Sequence, residues 1–149
     1  MGNQYDCGAG MIQRYFLIEP KYSDPDTLCC FTVGSDRVRA SIQIYANISM
    51  LLEVVSALEA KSLREEWPTV EDQYRTNDDD IFDLQLTVMP HEGERRVLRF
   101  NVFQDYLDDG APYRADIRFE LSPDEAATLA RELRTWCSKP AYAFVWTGY

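Results

Sequence analysis

The 149-residue chain holds a single histidine, His91. It carries no glycine-rich phosphate loop, no nucleophile elbow and no paired metal-ligand spacing. Serine or cysteine nucleophiles need a base, and His91 sits in a turn-like stretch with Glu92 and Glu94 beside it. A general base needs a positioned partner and a pocket, which a hairpin turn rarely supplies. The lack of an apolar run near the ~20 residues that span a bilayer argues against a membrane helix. No basic segment leads into an apolar stretch at Met1–Cys7, so no signal peptide is read there. Asp6 stands where a myristoylation motif wants Ser or Thr. The expectation is a cytoplasmic protein of one domain, residues 1–149.

Cysteine is sparse and unpatterned. Cys7, Cys29, Cys30 and Cys137 form no C-x-x-C, and adjacent cysteines bridge only with backbone strain. Four reduced thiols, two or three of them filling the core, are expected.

Acid is what the chain has in excess: 25 Asp+Glu against 15 Lys+Arg, net −10. Such a charge repels a phosphate backbone on average, so nucleic acid is not expected as a partner. The apolar share of 46%, with 13% aromatic, suits a globular core and is too rich for disorder.

Periodicity gives the layout. Gln13–Ile18, Thr27–Val33 and Arg37–Tyr45 read as strands; in the last, Val38, Ala40, Ile42 and Ile44 alternate with polar residues. From Ser49 as N-cap, the steps Leu51, Leu52, Val55 and Leu58 predict a helix ending near Leu63. Residues 65–80 are acid-rich and read as a loop. Phe82–Val88, Leu98–Val102 and Tyr113–Leu121 then alternate as a three-strand antiparallel meander. Arg99, Arg114, Asp116 and Arg118 fall on its polar face, where cross-strand ion pairs are expected. Ser122-Pro123-Asp124-Glu125 is a capping box that opens a second helix, which Lys139-Pro140 closes. The aromatic tail after Pro140 is expected to dock as an extra strand or against that helix. The order βββ-α-βββ-α plus tail predicts an α+β two-layer sandwich, with a mainly antiparallel sheet of about six strands and two helices.

Asp78-Asp79-Asp80 cannot converge on a cation unaided, and Asp105–Gly110 has Leu107 where a calcium loop needs an oxygen. No metal and no cofactor is therefore expected. The acids concentrate at residues 65–80 and 105–109, which suits steering towards a basic partner. Glu71, Asp72, Asp78, Asp79, Asp80, Asp105, Asp108 and Asp109 form the expected contact surface, with Tyr74 and Tyr106 as aromatic anchors.

The leucine-rich segment Ser49–Glu59, the acidic linker, the meander and the closing helix introduced by Leu121–Glu125 resemble bacterial proteins of the WapI-type immunity group over residues 27–137. The resemblance implies a cytoplasmic antitoxin without catalytic residues, neutralising a toxin by contact. The sequence thus leads to the expectation of a non-enzymatic acidic inhibitor of a basic protein partner such as a nuclease-type toxin, with no nucleic acid and no membrane. Two alternatives stand beside it. One is a small-molecule or weakly catalytic domain with a pocket lined by Trp67, Trp136 and Trp146; the other is a DNA-mimicking inhibitor from a virus or mobile element.

Overall fold

The computed structural model describes residues 13–20, 28–45, 47–61, 65, 69–75, 80–106, 111–140 and 142–148, with the backbone alone at 69–75. The fold is α+β: two antiparallel sheets of four strands each, with two helices. The first sheet is built from β1 (Arg14–Pro20), β2 (Leu28–Ser35), β3 (Arg39–Tyr45) and β8 (Phe144–Gly148), in the order β3-β2-β1-β8. The second is a continuous meander of β4 (Thr69–Arg75), β5 (Ile81–Pro90), β6 (Arg96–Asp105) and β7 (Tyr113–Leu121). Helix α1 (Ile48–Glu59) joins the sheets, and α2 (Pro123–Ser138) leads from the second sheet back to the first.

Two of the eight strands lie outside the six read from the sequence. The tail takes the strand option and pairs with β1, from Arg14↔Gly148 to Ile18↔Phe144. The stretch read as an acidic loop is corrected: residues 69–75 form β4, paired along its whole length with β5 from Thr69↔Thr87 to Arg75↔Ile81. A ready-made neighbour supplies the hydrogen-bonded ladder that an acid-rich segment would not form alone.

The core follows the alternation. Phe16 and Ile18 of β1, Phe31 and Val33 of β2, and Ile42 and Ile44 of β3 are buried against Leu84, Leu86, Leu98, Phe100 and Phe119 of the second sheet. The ring of Phe16 lies 4.8 Å, centre to centre, from that of Phe100, edge to face, so the two sheets meet through aromatic contacts. Leu51, Val54, Val55 and Leu58 face inward from α1 at three- and four-residue steps. The helices pack on one another, α1 against β4 and β5 and α2 against β7 and β8. Val38, expected to point inward, is 55% exposed beside the turn at Ser35–Val38. Trp136 and Trp146 belong to this core and edge two separate clefts, Trp136 one of about 650 Å³ between α2 and β8 and Trp146 one beside the start of α2, and Trp67 lies outside the described residues.

Both helix starts are capped by side chains. Asn47, not Ser49, caps α1 by accepting a hydrogen bond from the Ser49 amide at 2.9 Å, and the helix ends at Glu59. For α2 the anticipated box is complete: Ser122 Oγ accepts from the Glu125 amide at 3.1 Å, and Glu125 Oε1 accepts from the Ser122 amide at 3.0 Å. Ser122→Ala should cost about 1 kcal/mol. A chemical-denaturation midpoint that moves while its slope stays constant is the measurement.

Cys29, Cys30 and Cys137 form no disulfide among the described residues, the first and last are buried, and Cys7 lies outside the described residues. Burial pushes the thiols of Cys29 and Cys137 up to about 11, Cys29 also feeling the charge of Cys30. A thiol held there is a poor nucleophile at neutral pH, as expected of core filler.

Candidate nucleic-acid interface

The meander turns one face to the core and the other outward. Register fixes the outer face in rows across the strands: Thr87, Arg99 and Arg118; Gln85, Asn101 and Asp116; Asp83, Phe103 and Arg114. The tight β5–β6 connection brings Arg95 to the edge of the same face. That turn closes through His91 N–H to Arg95 O at 3.1 Å and Arg95 N–H to Glu92 O at 3.2 Å. Gly93 occupies the left-handed region there at φ 64°, where a residue without Cβ is unstrained.

The arginines are organised by two carboxylates. Arg99 grips Asp116 with both prongs, Nε to Oδ1 at 3.0 Å and Nη2 to Oδ2 at 2.8 Å, and Arg118 shares the same oxygen at 3.5 Å. The Arg99 hydrogen bond comes first among the causes that hold the Asp116 carboxyl below its ordinary value; burial opposes it and Arg118 assists. Glu120 accepts from Arg95 Nε at 2.7 Å and lies 3.5 Å from His91 Nε2. These are the cross-strand ion pairs expected of a wet face. His91, half-exposed, sits in its turn as the sequence suggested.

Arg114 is different. Its guanidinium carbon lies 4.4 Å from the centre of the Phe103 ring, and no carboxylate among the described residues pairs with it. The face therefore sets four arginines (Arg95, Arg99, Arg114 and Arg118) beside four carboxylates: Asp116 and Glu120, Asp83 in the row of Phe103 and Arg114, and Asp105 beyond it. In between, Asn101 Nδ2 donates to Gln85 Oε1 at 3.2 Å, a pair of amides at the centre of the face. Chemically the surface offers flat π-faces, planar cations and amide edges.

Of the acidic residues picked out from the sequence, Asp105 closes β6, and Glu71 stands in the central row of Gln85, Asn101 and Asp116. Glu71, Asp72 and Tyr74 fall on β4, whose backbone alone is described; Asp78, Asp79, Asp108 and Asp109 lie outside the described residues. Arg75, Ile81 and Asp105 stand in one row, so the β4–β5 and β6–β7 connections leave the sheet at the same end. Asp80 precedes that row, and Tyr106 follows it with its ring 5.5 Å from Phe82, 42% exposed. Asp80, Asp105 and Tyr106 thus stand at the end of the sheet opposite to Arg95, Arg99 and Arg118.

Sequence reading missed Phe103 as a site residue, although a signal was present. In β6 the inward set is Leu98, Phe100 and Val102, so Phe103 is an aromatic residue in the outward, polar register with Arg99 and Asn101. An aromatic in the wet register of a strand has a reason other than the core.

No family model matches the chain, and no curated protein matches it. Among solved structures, WHY1 from Arabidopsis thaliana is similar at 14% identity, covering 85% of this chain and 82% of that one, with a TM-score of 0.48. These comparisons do not bear on the WapI-type resemblance. Among the described residues no helix is long and apolar enough to cross a membrane. The expectation of an acidic inhibitor of a basic toxin, and with it the exclusion of nucleic acid, is corrected: it rested on net charge, whereas one sheet face gathers Arg95, Arg99, Arg114 and Arg118 around an aromatic ring. The physical reason for the error is averaging, because a net charge of −10 conceals an arginine-rich face.

Proposed function

We propose that the outer face of the second sheet binds single-stranded nucleic acid, and that the protein is a binding protein with no catalytic step. The observation that carries this reading is the outward-facing Phe103–Arg114 stack on a face that also carries Arg95, Arg99 and Arg118, in a chain of net charge −10. Unpaired bases stack on aromatic and guanidinium planes whatever their sequence, while arginines track the phosphates. A flat sheet offers these planes only to bases that are already unpaired, so single strands are favoured over duplex. Asp116 competes with phosphate for Arg99 and Arg118, and Asp83 and Asp105 repel the backbone, so affinity is modest and strongly salt-dependent. A reducing compartment such as the cytoplasm suits the reduced thiols of Cys29, Cys30 and Cys137.

Anisotropy of a labelled oligothymidylate, titrated with the protein at rising salt, is the test. Three phosphate contacts imply a log–log salt slope of about −2. Arg114→Glu with Arg118→Glu should abolish binding at a preserved melting temperature, and Asp116→Asn should tighten it several-fold by releasing two arginines. No binding at low salt, or equal binding by the double reversal, sinks the proposal.

A further inference from the structure

Arg96 is the only buried charged side chain among the described residues, 5% exposed. The parity of β6 places it on the inner face, opposite Leu121 and in register with Leu98 and Phe100. Its guanidinium reaches the carbonyl end of α1. Nη2 donates to Ala60 O at 2.6 Å, and Nη1 donates to Glu94 O at 3.0 Å and Arg95 O at 3.3 Å. Capping α1, whose last carbonyls carry partial negative charge, accounts for part of this arrangement. It does not account for all of it. A guanidinium has five N–H donors. Three are used, Nε has no partner, and one Nη2 proton is left beside it. Nε–H and an Nη2 proton form the side-on fork with which arginine holds a carboxylate or phosphate by two parallel bonds. No carboxylate among the described residues pairs with Arg96.

Beside the guanidinium lies a cleft of about 300 Å³, lined by Glu59, Lys61, Glu94, Arg96, Pro123 and Ala127 among others. It lies between the end of α1 and the first turn of α2, whose dipole favours negative charge. Lys61 adds a second cation at its rim. Of the acids nearby, Glu59 is held by Arg134, whereas Asp124 and Glu125 line a separate cleft with Trp146 and Gly148. Glu94 is exposed.

We infer that this cleft is an oxyanion-binding site, in which the unpartnered donors of Arg96 receive a carboxylate or phosphate group once the side chains covering Nε shift, and Lys61 supplies a second contact. The site is separate from the outer sheet face and stands whether or not that face binds nucleic acid. It takes a small anion or the anionic end of a larger molecule, since the cleft is only about 300 Å³. Occupation also stabilises the fold, by supplying partners to donors that are otherwise buried without them.

The Nε–H resonance of Arg96, assigned by its loss in Arg96→Lys, gives a direct reading in the ¹⁵N–¹H spectrum of the whole chain. Phosphate, acetate and chloride are titrated at matched ionic strength. A saturable shift with phosphate or with acetate, absent with chloride, supports the site, and the anion that saturates names its chemistry. Ala127→Glu alters an exposed helix position on the cleft wall and should keep the fold while abolishing the saturable shift. Arg96→Lys, if it folds, should bind about tenfold more weakly, read from the anion-dependent rise in melting temperature because the variant lacks the Nε–H resonance. A resonance that never moves, one that drifts equally in all three salts, or an Ala127→Glu protein that responds like the wild type overturns the inference.

Discussion

Phe16→Ala should remove about 3–5 kcal/mol of stability, a large share of the ~5–15 kcal/mol that holds a domain of this kind together. Phe16 is 1% exposed and sits where four strands converge. Its ring centre lies 6.5 Å from Phe31 on β2, 4.8 Å from Phe100 on β6 and 5.5 Å from Phe144 on β8. Removing it opens a cavity between the two sheets, and strands fixed by ladders on both sides cannot collapse to fill it. Urea unfolding of the variant and wild type, compared at equal slope, measures the loss. Phe82, half-buried at the rim against Tyr106, is the internal control and should lose far less on the same substitution. A loss below about 1 kcal/mol at Phe16, the size of an ordinary surface change, would mean that the sheets are not packed through this ring.

Trp146→Ala should cost a similar amount, about 3–5 kcal/mol, but its effect should be uneven across the molecule. Trp146 is 3% exposed although it lies on an edge strand. Its ring packs at 6.2 Å from Phe119 of the second sheet, and the Arg14 guanidinium lies 5.9 Å from its centre. Arg14 is held in turn by Glu125 and by the carbonyl of Glu120. One side chain therefore anchors β8, the start of α2 and the end of β7 to one another. Native-state amide exchange should accelerate most in β8, whose ladder is one-sided, and least in β6, which has a strand on either side. Uniform acceleration in β6 and β8 would show that the strand is not a separable unit.

What the sequence makes legible is what is encoded locally. Ser122, Pro123 and Glu125 state the start of α2 within four residues, and the alternation from Phe82 to Leu121 states which face of the meander is wet. Pairing between distant segments is not encoded that way. Thr69–Arg75 carries acids that suit a loop equally well, and becomes a strand because β5 lies alongside. The tail is apolar enough to dock anywhere on the core, and only the free edge of β1 decides where. The candidate face shows the same division. Its arginines and Asp116 are visible as polar partners, yet their concentration on one surface emerges only when β6 and β7 are set in register. Arg96 is the sharpest case. It reads as one more member of a basic cluster with Arg95 and Arg99, although the inward parity of Leu98, Phe100 and Val102 already places it inside.

The return of β8 to β1 also governs when the molecule can fold. The first sheet receives its fourth strand from the other end of the described chain, after the whole meander and α2. On a ribosome the second sheet can close in order, each strand pairing with the one just made. The first sheet instead waits with the edge of β1 bare, because its closing partner has not yet been synthesised. Loops that long close at a considerable entropic cost, and proteins rich in such contacts fold slowly. A bare strand edge is also a template for the wrong neighbour. During that interval the nascent chain is most exposed to mispairing, and a chaperone that shields extended apolar segments would find its substrate at β1.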